Sequence, residues 1–192
     1  IVTPDNDFLE LEVVDLKNGK PVVALFHGLE GSSERHYIQN LMSDLRNAGY
    51  SSVALNFRGC GKKMNLQRRM YHSGETEDYK TLFKWIKEYF DSSEVYAVGF
   101  SLGGNALVKS LGELKENHPV EKAVAVSPPY DLKAGSLRMN EGFNKVYQKR
   151  FLHTLKSKTN LKRVQFPDFP TFTGNSVYDF DDQVTAPVHG FE

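Results

Sequence analysis

Cysteine is scarce in this sequence, and long apolar runs are missing from it. Cys60 is the single cysteine among 192 residues, so an internal disulfide and a metal site built on thiolates are both excluded. A lone cysteine is typical of a reducing compartment, and we expect a cytoplasmic location. No run of about 18 or more apolar residues occurs, so we predict no membrane span in this chain. The sequence begins at Ile1 without a signal-peptide pattern, and an anchor upstream of that residue stays open.

An excess of charge of one sign is also lacking. The sequence has 24 Lys and Arg against 24 Asp and Glu, a formal net charge of +0. That balance argues against a broad basic face for nucleic acid or for anionic lipid. The one marked basic patch is interpreted as a solvated loop or as the rim of a site for an anionic substrate; it comprises Lys62, Lys63, Arg68 and Arg69. Zinc-protease, P-loop and dinucleotide motifs are missing, so we predict no cofactor and no metal.

Apolar runs and helical periodicity alternate along the first two thirds of the chain. Strands are predicted over 8–16, 21–26, 52–57, 94–100 and 120–127, and helices over 33–48, 75–90 and 102–115. Alternating strands and helices predict an α/β fold with a mostly parallel sheet, right-handed crossovers and helices on both faces. Ligands of such sheets bind outside the carboxyl ends of the strands. The loops after Phe26, Phe57, Phe100 and Ser127 are therefore the ones to search.

The alternation stops after Ser127. A helical stretch is predicted around 143–155, and a Pro- and aromatic-rich segment without a further βα unit follows it. A long insert of this kind at the carboxyl ends of strands is typical of a lid over a site. We therefore predict a core over 1–130 and a lid or cap segment over 131–192, with a peripheral helix pair as the alternative for the second part.

Ser101 lies in the strongest motif of the sequence, Gly99-Phe100-Ser101-Leu102-Gly103. This is G-x-S-x-G between a buried strand and a helix, the context of a nucleophile elbow. Side chains at the two glycines would collide with the neighbouring backbone of so sharp a turn. The helix that follows directs its free N–H groups toward developing negative charge. The motif predicts Ser101 as a catalytic nucleophile.

A second glycine-containing loop, His27-Gly28-Leu29-Glu30-Gly31, follows another buried strand. Acyl transfer requires two donors for the oxyanion. We predict these donors to be the backbone N–H groups of Leu29 and Leu102, with Gly28 letting the loop come close. We interpret His27 as a support of the loop through hydrogen bonds and not as the base.

Several blocks in the same order carry a family resemblance. They are residues 27–33, 56–60, 71–76, 99–105, 126–132 and 185–191. The sequence resembles the YheT-like branch of the α/β hydrolases, which also includes the ABHD1/ABHD3-type proteins, from about Pro4 to Phe191. The resemblance implies an α/β-hydrolase fold and a serine esterase, with short- to medium-chain acyl esters or lipids as substrates.

The same resemblance implies where the acid and histidine of the triad come from. In this branch, two further βα units follow the segment that resembles 185–191, and they carry both residues. We therefore expect an internal portion of a longer hydrolase, truncated at both ends, with an incomplete sheet and little activity by itself. Within the chain, the order Ser, acid, His leaves Asp131 and His189 as the candidates.

Two further readings of the same residues stay open. The first is cleavage of a thioester or an amide on the same serine. The second is an inactive, hydrolase-like binding module, if the natural chain is this short. Arg58, after the strand 52–57, is interpreted as an anchor of loops, and Cys60 is not expected to be a nucleophile because Ser101 is better placed.

Overall fold

The computed structural model describes residues 1–90 and 94–191. Two compact units are present. The first comprises Ile1–Asn65 and Ser73–Pro128, and the second comprises Leu66–His72 and the residues from Pro129 onward. The short stretch Leu66–His72 was not expected in the second unit, because Ser73–Pro128 of the first unit separates it from the rest of the second unit.

A five-stranded sheet forms the centre of the first unit. Its strands are β1 (Glu10–Val14), β2 (Val22–Phe26), β3 (Ser51–Asn56), β4 (Val95–Phe100) and β5 (Val120–Val126), in the order β1-β3-β2-β4-β5. The first strand runs antiparallel to β3, and all other neighbours are parallel. Every residue of β2 and β3 is buried, as expected of strands covered on both faces. The prediction of a mostly parallel sheet is confirmed.

Helices α1 (His36–Asn47), α2 (Glu77–Tyr89) and α3 (Leu102–Leu114) cover this sheet. Ile38 and Met42 of α1 belong to one core cluster with Leu25 of β2. The next residue, Phe26, stacks instead on Tyr79 of α2, with ring centroids 4.1 Å apart. Because successive side chains of a strand point to opposite faces, the two contacts place helices on both faces, as predicted.

The eight elements of the core lie within three residues of their predicted bounds at each end. Strand β5 differs from the inner strands in exposure. Among the residues that the structure describes, it pairs only with β4, and most of its residues are exposed, Val124 and Val126 among them.

The second unit is helical. Its elements are α4 (Leu132–Arg138), α5 (Asn144–Gln165), α6 (Val177–Phe180), a π-helical turn over Asp181–Thr185 and α7 (Ala186–His189). Two expectations are corrected here. Helix α5 continues ten residues beyond 155, because Thr159 and Lys162 keep the buried spacing begun by Leu152. The Pro- and aromatic-rich segment, for which no helix was predicted, contains α6, whose start is fixed by a capping box between Ser176 and Asp179.

No helix among residues 1–90 and 94–191 is both long and apolar enough to cross a membrane.

Candidate functional site

Ser101 joins β4 to α3 at a strained turn. Its backbone has φ 52° and ψ −122°, a conformation that non-glycine residues rarely adopt and that costs about 1–3 kcal/mol. The turn is held on both sides: Ser101 N donates to Val126 O at 2.8 Å, and Asn105 N donates to Ser101 O at 3.0 Å. The residue is exposed. A strained turn that displays a serine hydroxyl is the local geometry that the G-x-S-x-G motif predicts.

The glycines of the motif lie where no side chain fits. A Cβ on Gly99 would lie 2.6 Å from the carbonyl oxygen of Gly103, and a Cβ on Gly103 would lie 2.3 Å from His27 O. Both contacts are with backbone, which cannot rotate away. Gly103 therefore lets the first turn of α3 approach the end of β2, where the second glycine-containing loop begins.

That loop lies directly beside the serine. A Cβ on Gly28 would be 3.2 Å from Ser101 Cβ and 3.8 Å from its Oγ. The N–H of Gly28 donates to the Tyr37 hydroxyl at 3.0 Å. In contrast, the amides of Leu29 and Leu102 donate to no other group in the part of the chain that the structure describes. Two backbone donors without an acceptor thus lie beside Ser101, one on the loop after β2 and one at the start of α3.

His27 is fully buried and hydrogen-bonds to the backbone through both ring nitrogens. Its Nε2 accepts the N–H of Phe57 at 3.2 Å, so the proton is on Nδ1, which donates to Gly28 O at 2.7 Å. An imidazole with both nitrogens engaged in this way has no free lone pair to accept a proton from a serine. These are the contacts that a support of the loop requires.

Tyr79 contacts both halves of the site, and sequence reasoning missed it. Its hydroxyl donates to Gly103 O at 2.9 Å, while its ring stacks on Phe26, the residue before His27. Burial, with smaller contributions from the charges of Glu75 and Asp78, raises the pKa of the Tyr79 phenol well above its ordinary value. The sequence feature that could have identified Tyr79 is a tyrosine, with its polar hydroxyl, among the apolar residues on the buried face of α2.

Arg58 follows β3 and is buried among three carboxylates. It donates to Asp78 at 2.7 and 2.9 Å, to Asp5 at 2.8 Å and to Asp7 at 2.9 Å. Asp7 also accepts from Asn65 at 2.7 Å. Burial lowers the pKa of the guanidinium, but the hydrogen bonds and charges of Asp78 and Asp5 outweigh it and raise that pKa above its ordinary value. Arg58 thereby ties the N-terminal segment and the start of α2 to the loop after β3.

The other acid and base candidates are engaged in local structure of the second unit. The Asp131 carboxylate caps α4 by accepting from Ala134 N at 2.8 Å. The His189 ring stacks on Phe191 and meets His72 edge-on at 4.4 Å. The roles of Asp131 and His189 stay predictions.

The basic patch of the sequence is divided between different environments. The backbone amides of Lys62 and Lys63 donate to the Glu10 carboxylate at 3.1 and 2.9 Å. Arg68 pairs with Asp168 at 2.9 Å, in the second unit.

Comparison with known proteins gives the chain its family. The family model of the alpha/beta hydrolase fold matches residues 21–190. YheT of Escherichia coli is 37% identical over 98% of this chain and 58% of its own length, which confirms the resemblance to the YheT-like branch. The medium-chain fatty acid ethyl ester synthase/esterase 2 of Saccharomyces cerevisiae is 28% identical over 97% of this chain and 47% of its own length.

A solved structure agrees with these relatives. The esterase Pf2001 of Pyrococcus furiosus superposes with a TM-score of 0.64 and 26% identity, over 80% of this chain and 60% of that one. The chain spans about half the length of the curated relatives it matches. With its sheet order, its serine turn and the match over residues 21–190, the chain belongs to the α/β-hydrolase fold family.

Proposed function

We propose that the protein hydrolyses carboxylic esters, with Ser101 as its nucleophile. The observation that carries this proposal is the exposed serine on a strained turn, with the glycine loop 27–31 packed beside it. The two relatives and the solved structure described above all have esterase in their names. The medium-chain fatty acid ethyl esters in the name of the Saccharomyces cerevisiae relative support acyl esters of short to medium length, or lipids, as the substrate class.

In the proposed reaction, Ser101 Oγ attacks the acyl carbon and forms a tetrahedral intermediate. A histidine takes the serine proton and gives it to the alcohol, which leaves as the C–O bond breaks. Water then attacks the acyl-enzyme, and the acid and the free serine are released. His27 does not fit this role because both its nitrogens bind backbone. The family resemblance implies that the histidine and its acid follow residue 191, with His189 and Asp131 as the candidates within the chain.

We assign stabilisation of the oxyanion to the N–H groups of Leu29 and Leu102. Neither N–H donates to another group among the described residues; Leu29 lies on the loop after β2, and Leu102 directly follows Ser101. Leu102 is also the first residue of α3, so the positive end of the helix dipole adds to its N–H. The loss of one donor of this kind costs about 3 kcal/mol of transition-state stabilisation.

We propose that the second unit is the lid of the enzyme, which excludes water from the acyl-enzyme. Its own core holds a cavity of about 20 Å³ lined by Met70, Tyr71, Leu155, Phe169, Phe180 and Val184, together with Thr185, Val188 and His189. This space is large enough for about one water molecule. An acyl chain would enter it only if the lining side chains moved apart.

Hydrolysis of p-nitrophenyl esters of increasing acyl length tests the proposal. We expect turnover by the full-length protein and little by residues 1–192 alone, loss of that turnover in Ser101→Ala, and none of that loss in Ser43→Ala, which changes an exposed serine of α1. Equal turnover by Ser101→Ala and the native protein would reject Ser101 as the nucleophile. Faster cleavage of a matched thioester or amide would assign the same site to those substrates.

A further inference from the structure

We propose that helix α5 docks the protein on an anionic lipid surface. The helix is 22 residues long and has no acidic residue. Its seven basic residues are Lys145, Lys149, Arg150, Lys156, Lys158, Lys162 and Arg163. The zero net charge of the whole chain conceals this concentration. Residues 66–72 and 129–192 have eleven Lys and Arg against seven Asp and Glu, so the rest of the chain has an equal acidic excess.

One face of α5 is committed to the core of its own unit. The buried residues are Gln148, Leu152, Leu155, Thr159 and Lys162. They recur at intervals of three and four, so they share one side of the helix. The opposite side is consequently free of the packing that holds α5 in place.

That opposite side displays apolar residues. Val146 is 57% exposed, Leu161 is 52% exposed and Val164 is 82% exposed. Phe143, which immediately precedes the helix, is 74% exposed. Apolar side chains therefore lie on both sides of α5. Those on the buried side pack in the core of the second unit, whereas those on the exposed side take no part in that packing.

A row of basic residues borders these apolar ones. Lys145, Lys149, Lys156 and Arg163 are spaced by four, seven and seven residues, so they lie along one flank of the helix. All four are exposed. Lys145, Lys149 and Arg163 form no ion pair within residues 1–90 and 94–191, and the Lys156 ammonium lies over the Phe172 ring at 5.1 Å. Their charge is thus not neutralised by neighbouring carboxylates.

Basic and apolar side chains together on one helix surface match the chemistry of a lipid interface. The ammonium and guanidinium groups would meet anionic headgroups, and the apolar residues would enter the headgroup boundary. A nucleic acid would use the charge, but it would leave Val146, Val164 and Phe143 without a partner. The two sets of residues together favour lipid.

Vesicle sedimentation tests this docking surface without reference to catalysis. We expect the protein to bind vesicles of phosphatidylcholine mixed with phosphatidylserine, and to bind pure phosphatidylcholine much more weakly. Changing Lys145, Lys149 and Arg163 together to Gln should weaken binding about 100-fold, because each basic residue near an anionic surface raises the binding constant about fivefold. The matched control, Lys62, Lys63 and Lys84 to Gln, removes the same charge from the first unit and should bind normally.

A second variant separates lipid from nucleic acid. Val146→Ser with Val164→Ser keeps every charge, and it should also weaken vesicle binding. Failure of the native protein to bind the anionic vesicles would overturn the proposal, as would equal losses in the two triple variants. Tight binding of DNA with unchanged affinity in the valine variant would assign the surface to nucleic acid instead. Ser101→Ala should bind vesicles like the native protein, so docking and ester hydrolysis can fail independently.

Discussion

Replacement of Tyr79 by Phe tests whether a buried side chain outside the motifs holds the serine turn in place. The substitution keeps the ring that stacks on Phe26 and removes only the hydroxyl that donates to Gly103 O at 2.9 Å. The Gly103 carbonyl lies in the first turn of α3, so the helix ladder still supplies it with one donor. We therefore expect a loss at the lower end of the range for a buried hydrogen bond, about 1 kcal/mol of unfolding free energy.

The same hydroxyl should give the protein a distinct alkaline titration. The pKa of Tyr79 is raised in the folded protein, chiefly by burial. Its contribution to stability is therefore complete below the unfolded pKa of about 10 and is lost as pH rises above that value, by up to about 1.4 kcal/mol per pH unit. The Tyr79→Phe protein lacks this titration, so the stability difference between the two proteins should shrink and then reverse as pH rises.

Urea unfolding followed by circular dichroism, for the native protein and Tyr79→Phe between neutral and about pH 11, measures the stability difference at neutral pH and its change with pH. Ester hydrolysis by the full-length protein at neutral pH adds a third readout. A displaced serine turn should lose about 1 kcal/mol of transition-state stabilisation, so kcat should fall about fivefold, with KM little changed. A stability difference that stays constant with pH would refute the assignment of the alkaline loss to Tyr79. Unchanged kcat would refute its role in positioning the serine turn.

Two further predictions concern the backbone and the buried charges. Gly103→Ala should cost at least about 1–3 kcal/mol of stability and about 100-fold in ester turnover, because its Cβ would meet His27 O at 2.3 Å. The control Gly112→Ala in the same helix has open space and should stabilise the protein by about 0.5–1 kcal/mol. Equal effects of the two substitutions in thermal melts and in turnover would contradict the steric role of Gly103. Arg58→Met should lower the unfolding free energy by about 3–5 kcal/mol, since it leaves buried Asp7 and Asp78 without their cation. Arg58→Lys should recover only part of that loss, because an ammonium cannot donate to three carboxylates at once in the geometry of a guanidinium. The control Arg46→Met, on the surface of α1, should leave the unfolding free energy in urea nearly unchanged. A similar loss in Arg46→Met would contradict the role of Arg58 as the buried counterion.

The motifs of the site could be predicted because each is local. Ser101 and its flanking glycines are adjacent in sequence, and the steric reason for the glycines follows from the sharpness of the turn alone. The same holds for His27 and Gly28 after β2. The order of the strands and helices followed from their periodicity, which is also a local property.

The contacts that were missed join residues far apart in the chain. Tyr79 and Gly103 are 24 residues apart, and Arg58 and Asp5 are 53 apart. Neither spacing carries a pattern that a single sequence reveals. The length of α5 was underestimated for another reason: Thr159 and Lys162 occupy buried positions where an apolar residue would have continued the periodicity. The basic surface of α5 was hidden because total charge does not report how charge is distributed.

Labelling of the full-length protein with a fluorophosphonate probe, with the modified residue located by peptide mass spectrometry, is the most direct test of Ser101 as the nucleophile. We expect a covalent adduct on Ser101 and no adduct in the Ser101→Ala protein, with unchanged folding by circular dichroism. An adduct on any other residue in the native protein, or equal labelling of Ser101→Ala, would contradict the assignment of Ser101 as the nucleophile.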